Sequence, residues 1–186
     1  MLDDLLTFHQ PLDRREAGAL AEMQAFAHSL DRPLWRGQWP AHFTGSALVV
    51  DAAGGRVCLV LHRKLNRWLQ PGGHAEEADE GDLARTALRE AREETGLVVS
   101  LHPSASRPFD LDVHVIPARG EEPEHQHLDV RFLVVAEPAG ELVHDPAESH
   151  DAQWHTWAEA LARADEPALV RLLQKARTWV EDRHPT

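Results

Sequence analysis

The sequence predicts an α/β fold with helices on both sides of a sheet, and three observations carry that prediction. Residues 46–51 and 56–62 are near-continuous apolar runs, the pattern of strands covered on both faces. Apolar residues at helical spacing mark helices before, between and after the strands. The two kinds of element interleave along the chain, so strands and helices build one body. At 186 residues and 42% hydrophobic content, a single domain over 1–186 with an ordinary core is expected.

In chain order, residues 13–30 read as a helix, with Leu20, Met23, Ala27 and Leu30 on one stripe. Pro33 and residues 34–40 break it, giving an N-terminal helical extension over 1–40 that packs on a core spanning 43–161. Strands begin at Phe43, and Gly54 and Gly55 turn the first into the second as a hairpin. A short strand at 68–70 leads into a Pro71-Gly72-Gly73 turn. Strand-like segments follow at 98–101, 111–116 and 127–136. Asp165-Glu166-Pro167 opens a C-terminal helix over 165–182.

The most informative stretch runs from Gly72 to Leu97, GGHAEEADEGDLARTALREAREETGL. Leu83, Ala84, Ala87, Leu88 and Ala91 form the apolar face of a helix that Gly96 ends. At ~100° per residue, Glu90, Glu93 and Glu94 share an arc of roughly 100° beside that face. Like charges at i, i+3 and i+4 destabilise an isolated helix. A divalent cation held by oxygen ligands is the natural compensation; a solvated acidic face is the plainer alternative.

The pattern from Arg89 to Leu97, REAREETGL, resembles the second half of the Nudix box, the signature of the Nudix hydrolases. The first half departs. Fifteen residues separate Gly73 from Arg89 where the box has thirteen, so either Asp79 or Glu80 fills the first acidic position. The resemblance covers about 43–161 and implies an α/β/α sandwich around a mixed β-sheet. The segments HFTGSALVVD, RKLNRWLQPGGH, PFDLDVHVIPARG and HLDVRFLVV look like a bacterial branch with no single agreed substrate.

What the resemblance implies chemically is hydrolysis of a diphosphate in a nucleoside diphosphate derivative or a related small phosphorylated compound. On the matched positions, Glu90, Glu93 and Glu94 are expected to ligate Mg²⁺ or Mn²⁺. The backbone of Gly73 is a further ligand, and Arg89 orients the carboxylates. Hard oxygen donors favour these ions. A metal acidifies water and neutralises phosphate oxygens. The general base is a box glutamate, or Glu148 or Asp151 on a later loop.

Two other classes compete. An isopentenyl-diphosphate isomerase-like enzyme shares the implied fold but needs a reactive cysteine, and only mid-strand Cys58 is available. A non-catalytic nucleotide sensor commonly loses box carboxylates, which this chain keeps.

Composition excludes other classes. The net charge of −12 argues against a nucleic-acid polymer as partner. No run is long and apolar enough to span a membrane. The single cysteine and the acidic N-terminus fit a cytoplasmic protein. The oligomeric state, a homodimer included, is left open.

Arg63, Lys64 and Arg67 are either phosphate ligands or a solvated hairpin tip. His74 is a candidate for the cleft, and Trp68 stacks on a base or belongs to the core. One polar face is legible without any motif. His125, His127, Asp129 and Arg131 alternate with Leu128, Val130 and Phe132. Asp110, Asp112 and His114 alternate with Leu111, Val113 and Val115. Antiparallel pairing would bring the two polar faces together. Three roles are open: a substrate cleft lined by His127, Asp129 and Arg131, with Arg131 on a phosphate; structural pairing; or a second metal site through His125 and His127.

Overall fold

The computed structural model describes residues 2–137 and 141–183. Eight strands form a mixed sheet: β1 (Ala41–Val50), β2 (Arg56–His62), β3 (Arg67–Leu69), β4 (Gly72–His74), β5 (Val99–Leu101), β6 (Asp110–Ile116), β7 (His125–Ala136) and β8 (Ser149–Thr156). The order β3-β2-β1-β7-β5 forms its spine, with β4 on β1, β6 on β7 and β8 on β2. Only β1 and β7 run parallel, along the whole of β1; every other pair is antiparallel. Every residue of β1 is buried, as expected of a central strand, its second half being the apolar run read from the sequence and its first half carrying His42, Thr44 and Ser46.

The sheet forks. Strand β1 pairs with β4 at Thr44–Ser46 and with β2 at Val49–Val50. Strand β7 likewise pairs with β6 over its first half and with β5 over its last residues. Helix α3 (Leu83–Thr95), the helix read from the Gly72–Leu97 stretch, packs in this fork against β1, β4, β5 and β7. Its start is fixed by Asp82, whose side chain accepts from the Ala84 N–H, and its end by Gly96 at φ 68°.

Two apolar layers flank the sheet. On one side Phe43, Ala47 and Phe132 meet Leu83, Ala87 and Ala91 of α3 and Met23 of α2 (Arg14–Ser29). On the other, Leu48, Leu59 and Leu133 meet α4 (Trp157–Arg163) and α5 (Pro167–Glu181) through Trp157, Leu169, Leu172 and Ala176. Helices on both faces of a mixed sheet give the expected α/β/α sandwich.

Helix α2 packs onto the body, principally against β6. Four elements were not anticipated: α1 (Leu2–Thr7), β8, α4 and β4, whose glycines were expected to form a turn and instead pair with Thr44–Ser46 of β1. Six residues are too few for α1 to show a period. Strand β8, SHDAQWHT, is a polar edge strand that pairs only with β2, so its composition does not mark it. For α4 a signal was present: Thr156 and Glu159 form a reciprocal capping box.

Candidate active site

The site is built where α3 faces β4. At Gly72 glycine is required by space, because a Cβ would lie 2.8 Å from the Ser46 Cα of β1; at Gly73 the Glu90 carboxylate fills the side-chain position. A Cβ on Gly73 would lie 2.5 Å from Glu90 Oε1, and one on Gly72 would lie 2.2 Å from Ser46 Oγ. The backbone of β4 therefore runs directly against the carboxylates of α3. The Gly72 N–H donates to Glu94 Oε1 at 2.9 Å.

Arg89 organises the rest. Its guanidinium donates to Asp79 through Nε (3.2 Å) and Nη2 (3.0 Å), to Glu90 Oε1 (3.0 Å), to Glu93 Oε2 (2.9 Å) and to the His74 carbonyl (2.8 Å). One planar fork thus fixes four partners from three segments. Asp79 is the acid that braces the helix. It is buried, and besides Arg89 it accepts from Thr86 Oγ1 (3.0 Å) and the Glu76 N–H (2.9 Å). Glu80 instead sits at φ 53° on the surface, paired with Arg85, and Gly81 follows at φ 76°. The two extra residues are absorbed in this left-handed turn, which leaves the helix and its carboxylates undisturbed.

Glu90, Glu94 and Glu148 converge: each offers a carboxylate oxygen, and these lie within 4.8 Å of one another. Glu148 comes from the turn before β8. That turn is held by the Ser149 N–H to the Asp145 carbonyl (2.9 Å), and by the Arg63 N–H to the Glu148 carbonyl (2.9 Å). Glu93 lies at the exposed edge of α3, its side chain 55% accessible. Burial, opposed by the Gly72 hydrogen bond and reinforced by Glu90, Glu148 and Glu93, pushes Glu94 up to about 8. Burial, opposed by Arg89 and reinforced by Glu93 and Glu148, raises Glu90 to about 7. A single arginine does not neutralise this group of carboxylates. Glycines at the closest approach and uncompensated converging acids fit a divalent cation held by oxygen.

The other expected residues divide. Asp151 stays apart from the cluster, its carboxylate accepting from the Ala152 N–H (2.8 Å) and from Gln153 (2.6 Å). Arg63 donates from its side chain to the Pro146 carbonyl and, with exposed Lys64, stands at the hairpin tip beside the Glu148 turn. Arg67 turns away to Asp165 (3.1 Å) and Glu166 (3.0 Å). Trp68 packs on the α4–α5 layer, edge-on to His155. Cys58 is buried in β2, and burial, with the Glu94 charge, pushes its thiol up to about 12. That is unlike the reactive cysteine an isomerase needs.

Strands β6 and β7 pair antiparallel with their polar faces together: Asp110 opposite Arg131, Asp112 opposite Asp129, His114 opposite His127. The face then splits. Arg131 is buried beneath α5 and donates to Asp129 (2.8 Å), Asp112 (3.2 Å), Asp110 (3.4 Å) and the Ala168 carbonyl (3.4 Å). Asp129 also accepts from Ser46 (2.7 Å) and Thr44 (3.1 Å). Their polar atoms are spent on one another, so the structure gives Arg131 and Asp129 a scaffold position without access to a phosphate. His127 lies further along, among His42, His74 and His125, with ring centroids 4.9–5.3 Å away. Burial and the neighbouring imidazoles hold His127 down to about 2; burial, His42 and Arg36 hold His74 at about 3, so both rings are neutral.

Comparison with known proteins agrees with this fold. A C. elegans Ap4A hydrolase, solved as a binary complex, superposes with a TM-score of 0.59 at 17% identity, over 75% of this chain and 98% of that one. A NUDIX-family hydrolase from Clostridium perfringens gives 0.53 at 24%, over 74% and 97%. The NUDIX domain of Shewanella oneidensis NrtR, solved with ADP ribose, gives 0.56 at 18%, over 84% and 97%. No curated protein matches in sequence. The profile of the NUDIX domain matches residues 41–176, which takes in β1, the whole carboxylate site and most of α5. With a complete REAREETGL helix seated in the fork of such a sheet, the chain belongs to the Nudix hydrolase family.

Proposed function

We propose that the protein is a metal-dependent pyrophosphohydrolase that cleaves the diphosphate of a nucleoside diphosphate derivative. The observation that carries this reading is the convergence of Glu90, Glu94 and Glu148 against the glycines of β4. Glu90, Glu94 and Glu148 would hold the divalent cation, Mg²⁺ or Mn²⁺, with Glu93 at the outer edge and the Gly73 backbone alongside. Such an ion, when bound, acidifies water and neutralises phosphate oxygens.

The protein's own groups do the remaining work. Arg89 and the Gly72 N–H hold Glu90 and Glu94 in place before substrate arrives. Glu148, exposed and outside the box helix, would serve as the general base through the carboxylate oxygen that does not hold the cation. Arg63 and Lys64, beside the Glu148 turn, are the cations available for the outer phosphate. For the rest of the substrate, a cavity of about 710 Å³ opens next to β4, lined by Arg32, Trp35, Ala75 and Glu76 among others. Trp35 is 50% exposed there and carries the Arg32 guanidinium 4.3 Å from its ring, so this pair is the candidate contact for a base. Ap4A and ADP ribose, named for the structural neighbours, are therefore the first compounds to try. The free buried thiol fits a reducing, cytoplasmic setting.

The test is a panel of nucleoside di- and triphosphates, nucleotide sugars, dinucleoside polyphosphates, ADP ribose and isopentenyl diphosphate, with Mg²⁺ and with Mn²⁺. Hydrolysis of at least one nucleotide is expected. Glu94→Gln should lower turnover by about 10²-fold or more, the scale of losing one aligned electrostatic contact. Glu93→Gln should lower it by less, because Glu93 is exposed and already held by Arg89. Parent-level turnover in both variants would place the chemistry elsewhere.

A further inference from the structure

Four imidazoles meet on the polar face of β1, β4 and β7, across the sheet from α3 and separate from its carboxylates. His42, His125 and His127 each offer a ring nitrogen, and these nitrogens lie within 4.8 Å of one another. His42 is fully buried and His125 nearly so. His74 closes a further side, its ring centroid 5.1 Å from His42 and 5.0 Å from His127.

The backbone decides which nitrogen is free. Nδ1 of His42 lies 3.2 Å from the Gln38 carbonyl, and Nδ1 of His125 lies 2.8 Å from the Pro123 carbonyl. A carbonyl only accepts, so both Nδ1 atoms carry the proton and both Nε2 atoms carry the lone pair. Nε2 of His42 is buried and has no hydrogen-bond partner among the described residues. Buried polar atoms are nearly always satisfied, so an orphan lone pair among imidazoles points to something that accepts it. An Nδ1–H fixed by a backbone carbonyl, with Nε2 left free, is also how metal-binding imidazoles are oriented.

We propose that His42, His125 and His127 form a second metal site, for a divalent transition metal of the Zn²⁺ class, with His74 lining its remaining side. Imidazole donors select Zn²⁺ and its neighbours, whereas the carboxylates of α3 select a hard ion, so the two sites differ in donor type. Half-buried His127 and His114, whose side chain is 41% exposed, give an ion its route from solvent. Strand β4 links the sites: the His74 ring faces the histidines and its carbonyl accepts from Arg89.

The experiment uses the full chain without an affinity tag. It is stripped of metal and titrated with Zn²⁺, and separately with Co²⁺, in millimolar Mg²⁺ so that the harder ion occupies the carboxylates. One equivalent should bind, raise the thermal midpoint and, for Co²⁺, give the visible bands of nitrogen ligation. His125→Gln and His127→Gln should each weaken this binding by ~10-fold or more, while Glu94→Gln retains it. Absence of the equivalent in the unmodified chain overturns the proposal. So does an equivalent lost in Glu94→Gln but kept in His125→Gln, which would locate it at the carboxylates. If either histidine variant fails to fold, the Co²⁺ spectrum of the unmodified chain still decides between nitrogen and all-oxygen ligation. The readout is metal uptake, so a failure to hydrolyse any nucleotide leaves this result unaffected.

Discussion

Two charge assemblies sit on opposite faces of one sheet, and they differ in balance. Under α5, Glu16, Asp110, Asp112 and Asp129 meet Arg131, Arg171 and Lys175, with Arg15 at the rim 3.4 Å from Asp112. Four carboxylates face four cations. In the α3 fork, Asp79, Glu90, Glu93, Glu94 and Glu148 share one cation, Arg89. The first assembly is balanced in charge, and of its buried side-chain polar atoms only Arg171 Nε has no hydrogen-bond partner among the described residues. The second is short of positive charge, and that deficit, more than the number of acids, distinguishes a metal site from scaffold.

Protonation separates Glu16 from Glu94, although burial raises Asp110 within the balanced assembly too. Burial works to raise Glu16, but hydrogen bonds from His9, the Leu12 N–H and Lys175 outweigh it and hold Glu16 at about 2. Glu94, without a cation, is pushed to about 8.

The largest expected effect breaks the balanced side. Arg131→Met strands Asp129 and weakens the hold on Asp110 and Asp112, so it should cost about 3–5 kcal/mol, the scale of breaking a buried ion pair. Urea unfolding measures it. An unchanged midpoint with a raised KM would mean that Arg131 reaches substrate after all.

A smaller effect sharpens the contrast through pH, in the metal-free chain. Glu94 has a folded pKa above its ordinary 4.5. Its contribution is therefore fully present below about 4.5 and is lost as pH rises through about 8. Glu16 has a folded pKa below 4.5, so its contribution is present above that value and is lost as pH falls through about 2. Thermal midpoints across this range should thus decline on both sides, for opposite reasons. Glu94→Gln should flatten the alkaline decline and hold or raise metal-free stability at pH 8. An alkaline decline that persists in this variant would assign it to other groups. In the parent, Mg²⁺ or Mn²⁺ at 100 times its Kd should add about 2.7 kcal/mol.

The smallest effect concerns the turn before α3. Glu80→Gln removes an exposed partner of Arg85 and should change stability by less than ~1 kcal/mol. Asp79→Asn should cost more and lower turnover, since Asp79 and not Glu80 positions Arg89. Equal effects from both would contradict that difference.

The sequence alone determined what period and local chemistry can encode. The apolar face and end of α3, the shared arc of its glutamates and the alternating polar faces of β6 and β7 were all readable, because each depends on residues a few positions apart. The first acidic position was not readable, because Asp79 and Glu80 are neighbours and only the left-handed turn at Glu80 turns one inward and the other out. Period also names a face without saying what covers it. Arg171 and Lys175 come from the far end of the chain and Glu16 from its beginning, and they close the Arg131 half of the polar face. The histidine half instead gathers His42 and His74 from two other strands. Glu148 reaches Glu90 and Glu94 only because β8 pairs with β2. Contacts between residues so far apart in the chain are made by sheet pairing and packing, so tertiary structure decided which of the legible acids and histidines became a site.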